Sequence, residues 1–209
     1  MVEAKRLLDE GADNAMGDTL LRRGTSFAMR KVVIVGDAGV GKTSILSRFI
    51  NGWMPGGGRR STVTMGATEK LKSIHFAGTN KKLPLQIWDI PGAEKFRTLS
   101  SIYFRDADAA ILVYDCTNRE SFNNLKSNWL RELNAIAPET MLKFVVGNKA
   151  DLLEEMEESK DHHLRTEQCV TDKMLREFAM TKKAESMKVS ARRNQGIDEV
   201  FQRLGERLV

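Results

Sequence analysis

Cysteine is scarce in this chain, and long apolar runs are missing altogether. The two cysteines among 209 residues, Cys116 and Cys169, are too few for a disulfide framework and fit a reducing compartment. Cys116 closes an apolar run and reads as a small buried hydrophobe. No apolar stretch is long enough to span a bilayer, and the N-terminus is too charged for a signal peptide, so a cytoplasmic location is expected. The net charge of +5 comes without a basic helix or an aromatic-basic platform. That argues against nucleic acid as a partner and leaves a solvated basic surface, with acidic membrane lipid still open to it. What is present is 41% hydrophobic residues, enough to fill one globular domain with an extension.

The most informative stretch is GDAGVGKTS: Gly36, Asp37, Ala38, Gly39, Val40, Gly41, Lys42, Thr43 and Ser44. It follows the β-branched run Val32 to Val35 and leads into the helical pattern SILSRFI. Strand, glycine loop and helix start are the context that makes G-x-x-x-x-G-K-[ST] a phosphate-binding loop. The glycines let the backbone turn its N–H groups inward on phosphate oxygens, and the helix N-terminus adds partial positive charge. Lys42 supplies a full charge for the outer phosphates, and the Thr43 hydroxyl can bind Mg²⁺.

Two further strings select the base. NKAD, Asn148 to Asp151, closes the apolar run MLKFVVG, and SAR, Ser190 to Arg192, closes MKV. The Asp151 carboxylate can accept from the ring N–H and the exocyclic amine of guanine. Adenine offers no such pair and would leave the carboxylate unpaired. Asn148 suits the base's acceptor side and can tie its loop to the phosphate loop. The stem of Lys149 can lie over the ring, and the Ala191 N–H can reach the guanine oxygen. A small-molecule kinase would share GDAGVGKTS but has no use for NKAD and SAR.

Apolar runs alternate with helical patterns. Strands are expected at Lys31 to Val35, KLKSIHF, LPLQIWD, AAILVYD, MLKFVVG and SMKVS. Helices are expected at Lys42 to Ile50, Ser121 to Ile136, within Thr166 to Lys182, and at Gly196 to Leu208. Pro84 has no ladder donor and belongs at the start of its strand. The pattern specifies an α/β fold of the P-loop NTPase class: a doubly wound, mostly parallel six-stranded sheet with helices on both faces and nucleotide at the carboxyl ends of the strands. Residues 30–209 form this domain, and 1–29 an N-terminal extension, either disordered or a docked helix.

With these boxes in order, and with LQIWDIPGAEKFRTLSSIYFRDADAAILVYDCTNRESF between them, the chain resembles the Ras superfamily of small GTPases and, within it, the Rab branch. The resemblance runs from Arg30 to Val209. It implies a guanine-nucleotide switch in vesicle trafficking or signalling that binds GTP or GDP with Mg²⁺. Implied partners are effectors, exchange factors and GTPase-activating proteins, with indirect, peripheral membrane association. By the same resemblance Thr64 in STVTMG joins Thr43 and Asp89 around Mg²⁺, and the Gly92 N–H senses the γ-phosphate, so Lys42, Thr64 and Gly92 serve hydrolysis. An aromatic before switch I meets the base's outer face. Trp53 is the candidate aromatic, with Met54 next by spacing; the alternative for Trp53 is a plain core aromatic.

Several positions depart from the family. Its switch II reads D-x-A-G-Q-E; here Asp89-Ile90-Pro91-Gly92-Ala93-Glu94 puts a methyl group where the water-orienting glutamine belongs. Slow hydrolysis is therefore expected, and a GTP-loaded pseudo-GTPase acting as a binding module is the alternative. Pro91 stiffens the same segment. Glu69 stands where the Rab signature carries an aromatic, and PGGGRR precedes Thr64. Arg59 and Arg60 in that string are either a built-in arginine finger or part of a solvated basic loop. EEMEESKDHH, Glu154 to His163, reads as a solvated charged loop after NKAD. The sequence ends at GERLV without the prenyl cysteine that the Rab resemblance implies, so either that anchor lies in a longer chain or membranes are reached by other means.

Overall fold

The computed structural model describes residues 26–54, 64, 66–93, 102–158 and 168–209. Among these, six strands form one sheet: β1 (Arg30–Val35), β2 (Thr68–His75), β3 (Lys82–Asp89), β4 (Ala109–Asp115), β5 (Leu142–Asn148) and β6 (Glu185–Lys188), in spatial order β2-β3-β1-β4-β5-β6. Only β2 runs antiparallel, paired with β3 through the turn after His75; β3, β4, β5 and β6 run parallel to β1. The doubly wound, mostly parallel sheet is thus as the sequence implied. Pro84 lies just ahead of Leu85, where pairing with β1 begins, so its missing N–H costs no bond on that side.

The alternation along β1 distributes the core. Val32 and Ile34 face α1 (Lys42–Asn51) and α6 (Ile197–Leu208), meeting Ile45, Phe49, Phe201 and Leu204. The rings of Phe49 and Phe201 stack 3.6 Å apart. Val33 and Val35 face the other way, onto Phe122, Leu125, Trp129, Leu133 and Phe178. With both faces covered, β4 is buried along its whole length, which explains its unbroken apolar run AAILVYD.

Two elements differ from expectation. The helix expected over Ser121 to Ile136 is α2 (Arg119–Asn124) and α3 (Leu130–Ile136), joined by a π-helical turn, Leu125–Trp129. Asn118 caps α2 by accepting from the Ser121 N–H at 3.2 Å. The charged stretch after NKAD, expected to be loop, is in part helical: α4 spans Ala150–Glu158. Leu153 turns inward onto the core while Glu154 and Glu155 face Arg193 and Arg192, so the charges mark a helix's outer face. Helix α5 (Asp172–Thr181) falls within its expected range, capped by Thr171.

Upstream of Arg30, the Phe27 N–H donates to the Lys82 carbonyl at 3.0 Å, and the Phe27 ring meets Phe76 edge-on at 5.8 Å. The domain's packing thus begins before Arg30. The rest of the expected extension lies outside the described residues.

Candidate functional site

β1, where the strand order reverses between β3 and β4, ends at Val35, and the phosphate loop leaves it toward α1. Gly41 precedes α1 with φ of 97°, and a Cβ there would lie 2.2 Å from Asn148 Nδ2, so both conformation and space require glycine. Lys42 folds back over the loop, donating to the carbonyls of Gly36 at 2.7 Å and Asp37 at 2.8 Å. Burial lowers its pKa to about 8, although Asp89 and Asp37 pull the other way. A buried ammonium held by backbone carbonyls is poised for a stronger anion. The side chain of Asp37 points to the helices: Oδ1 accepts from Trp129 Nε1 at 2.8 Å and Oδ2 from Asn124 Nδ2 at 2.7 Å.

Asp89 ends β3 beside Ile34 of β1, which brings it against the start of α1. Thr43 Oγ1 donates to Asp89 Oδ2 at 2.6 Å and lies 3.0 Å from Thr64 Oγ1. Asp89 Oδ1 is buried and takes no hydrogen bond. Burial raises the Asp89 pKa; the Thr43 hydrogen bond and the Lys42 charge oppose that rise. Two hydroxyls and a carboxylate with a buried open oxygen are hard ligands of the kind Mg²⁺ takes alongside phosphate and water, so the residues fit that ion. Among the described residues no group of three His, Cys, Asp or Glu is placed to hold a metal. Gly92 rests on the phosphate loop: a Cβ there would come within 2.4 Å of the Ala38 nitrogen and 2.5 Å of the Asp37 carbonyl oxygen.

The NKAD and SAR strings converge at the ends of β5 and β6. Asn148 Nδ2 donates to the Val40 carbonyl at 2.9 Å, and its Oδ1 accepts from the Ala191 N–H at 3.1 Å, so one amide joins the phosphate loop to the SAR loop. Lys149 has a φ of 65°, and its Nζ meets Asp115 Oδ2 at 2.6 Å. Asp151, in the first turn of α4, is 1% exposed and accepts from Ser190 Oγ at 2.6 Å; the Arg192 guanidinium lies 3.6 Å from its other oxygen. Gly36 to Ser44, the Thr43–Thr64–Asp89 cluster and the NKAD and SAR strings therefore share one end of the sheet.

The Ras family model matches residues 31–209. The chain belongs to the Ras family. Relatives carry Rab names. Ras-related protein Rab-30 of Homo sapiens is 35% identical over 179 residues, 86% of this chain and 79% of the relative. Ras-related protein Rab-1D of Dictyostelium discoideum is 43% identical over 126 residues, 60% of this chain and 58% of the relative. RAB1BV of Beta vulgaris is 42% identical over 130 residues, 62% of this chain and 56% of the relative. This Ras-family chain is thus a Rab-like small GTPase by kinship.

Not every expected position is brought to the site. Trp53 follows the Gly52 cap of α1 and is 56% exposed, whereas Met54 packs against the core. Arg59 and Arg60 lie outside the described residues. Among the described residues no helix is long and apolar enough to cross a membrane.

Sequence reasoning missed three supports of the Ras-family site. Arg48 of α1 donates to the carbonyls of Ala191, Arg192 and Gly52 at 2.8, 2.9 and 3.0 Å, fastening the SAR loop to α1. Asp115 ends β4 and holds Lys149. Trp129 and Asn124 hold Asp37. The only signal for Asp115 was its place at a strand's carboxyl end; the other contacts depend on tertiary placement.

Proposed function

We propose that this chain is a guanine-nucleotide switch that binds GTP and GDP with Mg²⁺ and hydrolyses GTP slowly. The observation that carries the reading is the placement of Asp151, Ser190 and Ala191 at the end of the sheet that bears the phosphate loop, joined to it through Asn148. Gly36 to Ser44 take the phosphates, with Lys42 on the outer ones. Asp151 reads the guanine edge, and Ala191 N–H and Lys149 complete that pocket with Ser190 and Arg192. Trp53, exposed beside α1, is offered to the base's outer face.

Thr43, Thr64 and Asp89 would hold Mg²⁺. When bound, the ion neutralises charge on the β- and γ-phosphates. Thr64 and Gly92 stand at the two segments that sense the γ-phosphate; losing it releases both, and the partners that bind them exchange accordingly. Effectors, exchange factors and GTPase-activating proteins are the partners proposed. A trafficking role on intracellular membranes, reached peripherally, follows from the Rab kinship.

Ala93 sets the rate. A methyl group neither donates nor accepts, so no side chain at that position orients the attacking water. Single-turnover hydrolysis on GTP-loaded protein is expected to fall one to two decades below the rate of about 10⁻⁴ s⁻¹ for Ras. Ala93→Gln should be faster. The same observation favours a second reading, a module that stays GTP-loaded and works by recruitment. A wild type with no measurable turnover would select that reading; a brisk wild type that slows in Arg60→Ala would select a built-in arginine finger instead.

A further inference from the structure

Asp37 is the one anionic side chain in Gly36 to Ser44, the segment that the proposed function assigns to a polyphosphate. A carboxylate facing those phosphates would repel them. Both of its oxygens are instead engaged on the helix side of the loop, Oδ1 by the Trp129 indole N–H at 2.8 Å and Oδ2 by the Asn124 amide at 2.7 Å. Trp129 is fully buried, and Asn128 Nδ2 reaches Asn124 Oδ1 at 3.4 Å, which helps to orient that amide.

The two donors lie five residues apart: Asn124 immediately precedes the π-helical turn Leu125–Trp129, and Trp129 is its last residue. On a regular α-helix, residues five apart point about 140° away from each other and cannot meet one carboxylate. A π turn closes i to i+5 and brings them round to one face. The Leu130 N–H closes on the Leu125 carbonyl in that manner.

We propose that the π-helical turn is a positioning device for the nucleotide: by setting Trp129 and Asn124 together on Asp37, it holds the loop's own carboxylate off the phosphates and fixes the loop in its binding shape. Trp129 and Asn124 are positioning residues and touch no nucleotide. The inference rests on the reading of Gly36 to Ser44 as the phosphate site.

The test is the release rate of a fluorescent N-methylanthraniloyl-GDP from the full chain in Mg²⁺, read as a double-mutant cycle. Trp129→Phe keeps a buried ring but removes the N–H, and should speed release about tenfold. Asn124→Ala should speed it severalfold. Both effects should shrink below about twofold in an Asp37→Ala background, because there is no longer a carboxylate to hold. If Trp129→Phe does not fold, the Asn124→Ala cycle decides alone. Equal acceleration with and without Asp37, or none in either, overturns the proposal and leaves the phosphate site standing. A wild-type chain that binds no N-methylanthraniloyl-GDP, while melting cooperatively, overturns the phosphate site as well.

Discussion

Asp151→Asn is expected to weaken GTP and GDP binding by about a thousandfold or more and to turn the preference toward xanthine nucleotides. The residue is 1% exposed, and one oxygen is fixed by Ser190 Oγ at 2.6 Å, so the carboxylate cannot rotate freely to suit another base. Guanine presents two donors to it, the ring N–H and the exocyclic amine. An amide at that position keeps one acceptor and turns a donor toward the second, which leaves a buried polar group unpaired; sites of this kind discriminate by factors of about 10⁴ to 10⁵. Xanthine replaces the exocyclic amine by an oxygen, which an amide can meet. Competition of GDP and XDP against a fluorescent guanine nucleotide measures both. GDP binding unchanged in Asp151→Asn would remove Asp151 from the pocket.

The second large effect concerns Mg²⁺. Thr43, Thr64 and Asp89 lie within hydrogen-bond reach of one another through Thr43 Oγ1, and Asp89 Oδ1 is buried without a hydrogen bond. Chelation by EDTA should therefore speed nucleotide release about a hundredfold, since the ion is expected to supply several kcal/mol of charge neutralisation on the phosphates. Asp89→Ala should release fast with or without EDTA. Thr43→Asn should weaken GTP more than GDP, because the γ-phosphate draws most on the full metal shell. Release indifferent to EDTA in the wild type would count against the whole metal assignment.

The fold could be read from the sequence where one signal controlled one element. β4 read correctly because AAILVYD is buried on both faces, and the β2–β3 pair because AGTNKK separates two strand-like runs. The loop expected from Glu154 is helical as far as Glu158 because the charges form a helix's outer face: Leu153 faces the core while Glu154 and Glu155 reach Arg193 and Arg192. The π-helical turn leaves no composition signature; the contacts made from it and from the residue before it go to Asp37, some ninety positions earlier. The site divides along the same line. GDAGVGKTS, NKAD and SAR are contiguous strings at strand ends, so the placing of Lys42, Asn148 and Asp151 at one end of the sheet follows from the order of the elements. Arg48, Asp115 and Trp129 act through side chains brought together by the sheet, and nothing local distinguishes them. Trp53 is the aromatic before switch I, and at 56% exposure it is not the plain core aromatic that is the alternative reading.

The account depends most on guanine nucleotide occupying this end of the sheet. The direct measurement is the nucleotide that travels with the protein. The full chain is purified in Mg²⁺ and denatured, and what it releases is separated by chromatography. Close to one guanine nucleotide per chain is expected, with a substantial share as GTP if hydrolysis is as slow as proposed for Ala93. Adenine nucleotide in its place, or a chain that stays empty even when offered GDP and Mg²⁺, would contradict the central claim.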